Sequence, residues 1–265
     1  MTALDVAEAV AAEMSDRGAL GVALMGSYAR GEESAYSDLD VVAIGTGDAS
    51  MRVIDGVLVS QSWISLEAVR TGWQSPGDVG QVVPGWRSAR PLLDNEDLVA
   101  QVKREAARWR WADLGDASDR WVAEQLVGYS EEVLRLVGHL QRGNQLPAAV
   151  MRNVLSNRMA WVASVHLHLL YETENKLWDL VADELGDDWL CDQRTALGID
   201  AGLEASCVAA LNLYERVVVL AGDTLGSSQR DVVTAAVAVS RLCEDRVRSG
   251  GGHSATHERR EPGAT

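Results

Sequence analysis

Two short polar motifs, each next to a buried strand, constrain the fold of this chain most. Residues 20–25 are an apolar run too short for a helix, and they predict a fully buried strand that ends at Gly26-Ser27. After ten intervening residues, Asp38 and Asp40 open a second apolar strand that continues to Ile44. Successive side chains of a strand alternate between its faces, so both carboxylates point to the same face.

These motifs suit phosphate and metal binding. The Gly26-Ser27 turn offers backbone N–H groups and a hydroxyl, and a divalent cation such as Mg²⁺, which prefers hard oxygen ligands, offsets the repulsion between Asp38 and Asp40. Taken singly, Gly26-Ser27 is equally well explained as a strand-to-helix turn with an N-cap serine, and the aspartates as solvated strand-end residues. Their joint occurrence at the open ends of two buried strands favours the nucleotide-binding interpretation.

The first 113 residues predict a small domain of helices and strands. Asp55-Gly56 lies between two β-branched runs and predicts an antiparallel hairpin. Residues 74–86 are rich in Gly and Pro and are expected to form a loop. The other expected elements are helices over 3–17, 66–73 with Ser65 as N-cap, and 96–111 with an Asp94-Asn95 cap, and a strand over 90–93.

The second part of the chain has helical periodicity and no convincing strand. Apolar residues recur at helical spacing with breakers between segments, which predicts a bundle over residues 114–248. The expected helices span 118–141, 147–171, 174–185, 188–195, 202–225 and 228–248. Residues 249–265 are Gly-rich and then charged, so we expect a disordered tail.

Charge and hydrophobic patterning narrow the possible partners. The formal net charge of −15 argues against nucleic acid as a bulk partner and is compatible with a cationic small substrate, although solubility alone also explains it. No apolar run approaches the roughly 18–20 residues that span a membrane. Because acidic Asp5 and Glu8 precede any basic residue, no secretory signal is expected, and we expect a cytoplasmic protein.

Gly26-Ser27 followed by Asp38-x-Asp40 on a strand resembles the signature of the nucleotidyltransferase superfamily, which has the DNA polymerase β-like fold. The two-domain layout resembles antibiotic nucleotidyltransferases of the aminoglycoside-modifying kind. The resemblance is strongest over residues 20–44 and is one of layout only in the helical half. It implies an α+β protein in which a small mixed-sheet nucleotidyltransferase domain is followed by an all-helical bundle.

The resemblance also implies roles for individual residues. In that family the Gly-Ser pair contacts the triphosphate, and the resemblance implies this role for Gly26 and Ser27. The paired aspartates of the family bind Mg²⁺ as catalytic metal ligands, and the resemblance implies this role for Asp38 and Asp40. Arg30 follows Ser27 by three residues and is within reach of a phosphate. Ser37 matches the family pattern as a residue that orients the loop by a local backbone bond.

One expected feature is missing from the sequence. The family usually places a third carboxylate on the strand after the hairpin, where this chain has Ser60 or Ser62. Three alternatives follow: a base from the helical domain, a single metal with a weakly activated acceptor, or nucleotide binding without efficient transfer. The candidate bases are Glu131, Glu132, Glu172 and Glu174.

The predicted function is Mg²⁺-dependent transfer of a nucleoside monophosphate from an NTP, with ATP the first choice, to a hydroxyl of a small molecule. An aminoglycoside-like antibiotic fits the layout and the acidic charge, which would make the protein a resistance enzyme. The alternatives are a non-catalytic nucleotide-binding protein and an enzyme that AMPylates a partner protein. The expected partners are an NTP and a cationic hydroxylated acceptor, and we expect no binding to nucleic acid or to a membrane. The protein is expected to be a monomer or a homodimer.

Overall fold

The computed structural model describes the backbone of residues 2–250 and the side chains of residues 2–243. Most of the predicted tail, residues 251–265, lies outside the described residues. The elements of the first part are α1 (Ala3–Asp16), β1 (Gly21–Met25), α2 (Gly26–Arg30), β2 (Leu39–Ile44), β3 (Ser50–Ile54), β4 (Val57–Ile64), α3 (Leu66–Gly72), α4 (Pro76–Ser88), β5 (Arg90–Leu93) and α5 (Leu98–Arg108). After a 3₁₀ turn at Trp111–Leu114, the helices are α6 (Ala117–Gln141), α7 (Gln145–His166), α8 (Glu174–Leu185), α9 (Asp187–Ala196), α10 (Leu203–Leu220) and α11 (Ser227–Gly250).

The five strands form one mixed sheet in the order β3-β4-β2-β1-β5. β2 and β4 run parallel, and the other neighbouring pairs are antiparallel. The hairpin predicted at Asp55-Gly56 is confirmed by the antiparallel register of β3 and β4. The α+β class, with a mixed sheet followed by a helical region, is therefore confirmed.

Each face of the sheet is covered by helices. On one face α1 buries Val6, Val10 and Met14 against Leu24 and Val41 of the sheet. The other face packs against α3, α4 and α5, through a core cluster that includes Val69, Val83, Trp86 and Val102. Fully burying one such side chain contributes about 1.5–3 kcal/mol. The two layers therefore hold the sheet in place, and with it the end of β1 and the start of β2.

The loop predicted over residues 74–86 is wrong, because this segment forms α4. Gly77 and Gly80 are required by close packing: a Cβ would lie 2.7 Å from Trp161 Cζ2 at the first position and 2.6 Å from Tyr171 Cε1 at the second. Pro84 lacks an N–H for the Gly80 carbonyl, which instead accepts a hydrogen bond of 2.7 Å from the Tyr171 N–H. Tertiary contacts thus stabilise a helix that local propensity disfavours.

The helix caps follow the sequence closely. Ser65 Oγ accepts a hydrogen bond from the Ala68 N–H, as predicted for the N-cap of α3. The Asp94 carboxylate accepts from the N–H groups of Val99 and Ala100, so it caps α5, although that helix begins at Leu98 rather than at residue 96.

The described residues form two compact units, 2–122 with 160–185, and 123–159 with 186–250. The first unit thus contains the sheet, its covering helices, the end of α7 and all of α8. In the second unit, Tyr214 Oη bonds to Ser130 Oγ at 2.8 Å and to the Leu126 carbonyl at 2.9 Å. Burial raises the pKa of Tyr214 to about 12, so its hydroxyl stays neutral in this core. None of the helices in the described part of the chain has the length and apolarity of a membrane span.

Candidate active site

Gly26 and Asp40 meet where β1 ends and β2 begins. Met25, the last residue of β1, pairs with Asp40 in the antiparallel register, and Gly26 follows it with a positive φ of 65°. A Cβ at Gly26 would overlap Asp40 Oδ2. Only glycine fits both the backbone conformation and the neighbouring carboxylate, which brings the Gly-Ser turn directly beside the Asp-x-Asp motif.

Asp40 is coupled electrostatically to Asp38 and Arg30. Its burial, and secondarily the negative charge of Asp38, raise the pKa of the Asp40 carboxyl, while the Arg30 guanidinium acts in the opposite direction. Two half-buried carboxylates of like charge are therefore close enough to influence each other. A cation bound between them would relieve both the repulsion and the desolvation cost.

Ser60 occupies the position next to Asp40 on the other side. In the parallel register of β2 and β4, Asp40 pairs with Ser60 and Val42 pairs with Ser62. Paired residues of neighbouring strands point to the same face, so Ser60, rather than Ser62, lies where a carboxylate on β4 would complete the site. The next residue in this row of paired positions is Met51 on β3, which pairs with Ser60. Neither Ser60 nor Met51 adds a carboxylate to those of Asp38 and Asp40.

Arg30 belongs to a cluster of four charged side chains that joins α2 to α8. Its side chain is only 10% exposed, its Nε donates to Glu32 Oε2 at 2.8 Å, and it reaches the Glu172 carbonyl at 3.4 Å. Lys176 Nζ bridges Glu32 Oε1 at 2.8 Å and Glu172 Oε2 at 2.9 Å. We call Arg30, Glu32, Glu172 and Lys176 the charge cluster.

The comparisons with known proteins agree with this geometry. Residues 8–70 match the protein family described as "Nucleotidyltransferase domain". Residues 8–70 are thus similar to a nucleotidyltransferase domain. The match extends from α1 into α3 and includes all six predicted site residues, which lie between Gly26 and Asp40. A search of curated protein sequences gave no match.

A solved structure shares the fold over most of its length. It is a nucleotidyltransferase-like protein from Exiguobacterium sibiricum, with a TM-score of 0.51 and 11% sequence identity, and the similarity covers 91% of this chain and 90% of that one. At this identity the likeness concerns the fold alone. Support for nucleotidyl transfer as the reaction class comes from the family match over residues 8–70.

The carboxylates of the nucleotidyltransferase domain fit a divalent metal that keeps other oxygen ligands. No group of three or more His, Cys, Asp or Glu side chains able to hold a metal occurs among the described residues. The available set is the coupled pair Asp38 and Asp40, beside a glycine turn that leaves no room for a Cβ. Mg²⁺ is commonly held by one or two carboxylates, with water and substrate phosphates completing the octahedron, so two carboxylates suffice for this mode.

Ser37 stabilises the loop before Asp38. Its Oγ accepts a hydrogen bond of 2.9 Å from the Ser34 N–H, and its own N–H donates to the Ser34 carbonyl at 3.1 Å. These bonds orient the loop that places Asp38 at the start of β2. Contact between Ser37 and a nucleotide stays a prediction.

The four candidate bases lie in different parts of the protein. Glu172 is in the charge cluster, and Glu174 is the first residue of α8. Glu131 and Glu132 belong to the second unit, where both pair with Arg135. Sequence reasoning did not predict that Lys176 lies beside Glu32, since the two are 144 residues apart and no local pattern links them.

Proposed function

We propose that the protein is a Mg²⁺-dependent nucleotidyltransferase that moves a nucleoside monophosphate from an NTP, with ATP the first choice, to a hydroxyl of a small molecule. The observation that carries the proposal is the contact of Gly26 with the Asp40 carboxylate, which is itself coupled to Asp38. This arrangement joins a phosphate-accommodating turn to a pair of metal-ligating oxygens within a nucleotidyltransferase domain.

Each site residue has a role in this reaction. Gly26 and Ser27 hold the triphosphate through backbone N–H groups and the Ser27 hydroxyl, while Asp38 and Asp40 would hold the metal. The acceptor hydroxyl gives its proton to a base as its oxygen attacks the α-phosphorus, the bond from that phosphorus to the bridging oxygen breaks, and pyrophosphate leaves. Bound Mg²⁺ would neutralise the negative charge of the phosphates, and the protein mainly positions the reacting groups.

Arg30 is the proposed phosphate ligand outside the Gly-Ser turn. Its guanidinium bonds to the carboxylate of Glu32, and its charge acts to lower the pKa of the Asp40 carboxyl. A guanidinium bonds phosphate and carboxylate oxygens with the same planar fork. On nucleotide binding, a phosphate oxygen would share or replace Glu32 as the acceptor for Arg30.

We further propose a cationic, hydroxylated acceptor, of which an aminoglycoside-like antibiotic is the first example to test, and a cytoplasmic reaction. The net charge of −15 favours attraction of such a molecule. Glu172 is the candidate base that we favour, because it belongs to the charge cluster: its carboxylate lies 4.0 Å from Arg30 Nε, and its backbone carbonyl accepts a hydrogen bond from Arg30.

A second candidate function is nucleotide binding without transfer. The pairing of Ser60 with Asp40 favours it, since the site on the sheet has two carboxylates where the related family has three. In that case the protein would bind NTP and metal, and no acceptor would stimulate pyrophosphate release.

An assay of pyrophosphate release separates these functions. The protein is incubated with Mg²⁺, each of the four NTPs, and a panel of aminoglycosides and simpler amino-alcohols. Release that needs an acceptor and is lost in Asp38→Ala and Asp40→Ala supports the proposed transferase, whereas Asp48→Ala, on an exposed loop, is the matched control that retains activity. Nucleotide binding without turnover across the panel supports the second function instead.

A further inference from the structure

A pocket of about 520 Å³ lies where α4 and α5 end, and none of its residues belongs to the candidate active site. Its lining residues are Arg87, Ala107, Trp109, Arg110, Trp111 and Leu170. A volume of this size is in the range of small-molecule sites, which are commonly apolar with a few convergent polar groups. We call it the two-arginine pocket.

Arg87 and Arg110 converge on one carbonyl group in this pocket. Arg87 donates through Nε to the Ala106 carbonyl at 2.9 Å and through Nη2 to the Trp109 carbonyl at 3.0 Å. Arg110 donates through Nη1 to the Ala107 carbonyl at 2.9 Å and to the same Trp109 carbonyl at 2.8 Å. Each guanidinium has five N–H donors, so each keeps three that these bonds do not use.

No carboxylate pairs with either arginine within the part of the chain whose side chains are described. Burial, and secondarily the charge of Arg110, lower the pKa of Arg87, so the two cations lie close enough to repel each other. Acidic residues outnumber basic ones by 39 to 24 in this protein, so two adjacent unpaired arginines are not a consequence of composition.

The aromatic walls of the pocket are held in place. Trp109 is buried and donates its indole N–H to the Trp73 carbonyl at 3.1 Å, and its ring meets Trp111 edge-on with 5.4 Å between centroids. Trp111 stacks on His168 at 5.0 Å, and its indole N–H has no acceptor among the described residues. These contacts fix the rings before any ligand arrives, which lowers the entropic cost of binding.

We propose that the two-arginine pocket binds an organic anion, with a carboxylate or phosphate between Arg87 and Arg110 and a planar apolar body against Trp111 and Leu170. The remaining guanidinium donors match the oxygens of either anion with planar geometry. The partly buried Trp111 indole provides a flat apolar surface on which an aromatic group stacks, and buried Trp109 packs against the edge of that ring. This activity is separate from the proposed transfer reaction, because the pocket and the Gly26/Asp40 site share no residue.

Calorimetric titration with 1-naphthyl phosphate, 1-naphthoate and the neutral 1-naphthalenemethanol tests the proposal. The expected result is saturable binding of at least one anion and no binding of the alcohol, and comparison of the two anions shows whether phosphate or carboxylate is preferred. Arg110→Gln is expected to weaken binding by about tenfold or more, because charge-assisted hydrogen bonds are lost. The exposed neighbour Arg108→Gln, which does not line the pocket, is expected to bind like the wild type.

Two further variants keep the outcome decisive. Trp111→Leu is expected to weaken binding of both naphthyl anions while leaving the two arginines in place, and thermal unfolding checks that it folds. Ser27→Ala, in the candidate active site, is expected to leave binding unchanged. The proposal is overturned if neither anion binds the wild type, if Arg108→Gln and Arg110→Gln weaken binding equally, or if Ser27→Ala abolishes it.

Discussion

Gly26 packs against the Asp40 carboxylate so closely that no Cβ fits between them. This contact joins the two halves of the sequence motif at the adjoining ends of β1 and β2. It also explains why the turn begins with glycine: any other residue would have to displace a carboxylate that the proposed metal site needs.

Gly26→Ala is expected to impair both folding and binding. The residue would adopt a φ near 65° at a cost of about 1–2 kcal/mol, and its Cβ would also displace the Asp40 carboxylate. The free energy of unfolding should therefore fall by more than this, and MgATP binding should be lost. Gly31→Ala is the matched control, since Gly31 has a φ of 71° but open space around it. Equal effects of the two substitutions on MgATP binding would contradict the Gly26–Asp40 contact.

Asp40→Asn is expected to stabilise the metal-free protein while abolishing its activity. Because the pKa of Asp40 is raised in the folded state, that state binds the proton more tightly than the unfolded chain, and stability falls as pH rises above the ordinary pKa of 3.8. Thermal unfolding in EDTA at pH 7 should show a higher Tm for Asp40→Asn than for the wild type. The difference should shrink toward pH 3, where Asp40 is protonated in both states.

The loss of activity in Asp40→Asn should exceed the roughly 10–100-fold that outer-shell partners of metal ligands contribute. Pyrophosphate release at saturating Mg²⁺ measures it. A variant that is less stable than the wild type at pH 7 without metal would contradict the electrostatic account of the site.

Ser60→Asp is expected to strengthen divalent-metal binding. The new carboxylate would lie beside Asp40 in the β2–β4 register and add a third anionic ligand, which should raise Mn²⁺ affinity on the order of tenfold. Met51→Asp is the control, because Met51 occupies the same row one strand farther from Asp40 and is exposed. Mn²⁺ titration followed by electron paramagnetic resonance compares them, and equal affinities would show that Ser60 does not adjoin the metal position.

Gly77→Ala is expected to destabilise the first unit by about 1–3 kcal/mol. The Cβ would press on Trp161, whose indole N–H bonds to the Gly77 carbonyl at 2.8 Å. Gly85→Ala in the same helix meets only an ordinary contact of 3.5 Å with Met25, so helix propensity should leave it neutral or slightly stabilised. Urea unfolding measures both, and a neutral Gly77→Ala would contradict the packing of α4 against the end of α7.

Local patterns predicted the parts of this fold that local forces determine. The strand ends at Met25 and Ile44, the Asp55-Gly56 hairpin and the Ser65 cap all follow from short stretches of sequence. By contrast, the sequence of α4 predicts a loop, because its glycines and prolines disfavour a helix. Its stability depends on Trp161 and Tyr171, which are more than eighty residues away and require those glycines.

The candidate site also has parts that the sequence predicts and parts that it does not. Gly26, Asp38 and Asp40 could be identified because their residue types and spacing carry the chemistry. The bridge from Lys176 to Glu32 could not, since it joins α8 to the loop after α2 and depends on how distant helices pack. Local pairs exist within each half of that cluster, Arg30 with Glu32 and Glu172 with Lys176, but neither pair indicates that the two halves meet.

Calorimetric titration of ATP in the presence of Mg²⁺ tests the central claim most directly. The wild type and the Asp48→Asn control are expected to show saturable binding that EDTA removes, and the Asp38→Asn/Asp40→Asn double variant is expected to show none. Binding of equal strength in the double variant, or no binding of any NTP to the wild type, would contradict the assignment of this site.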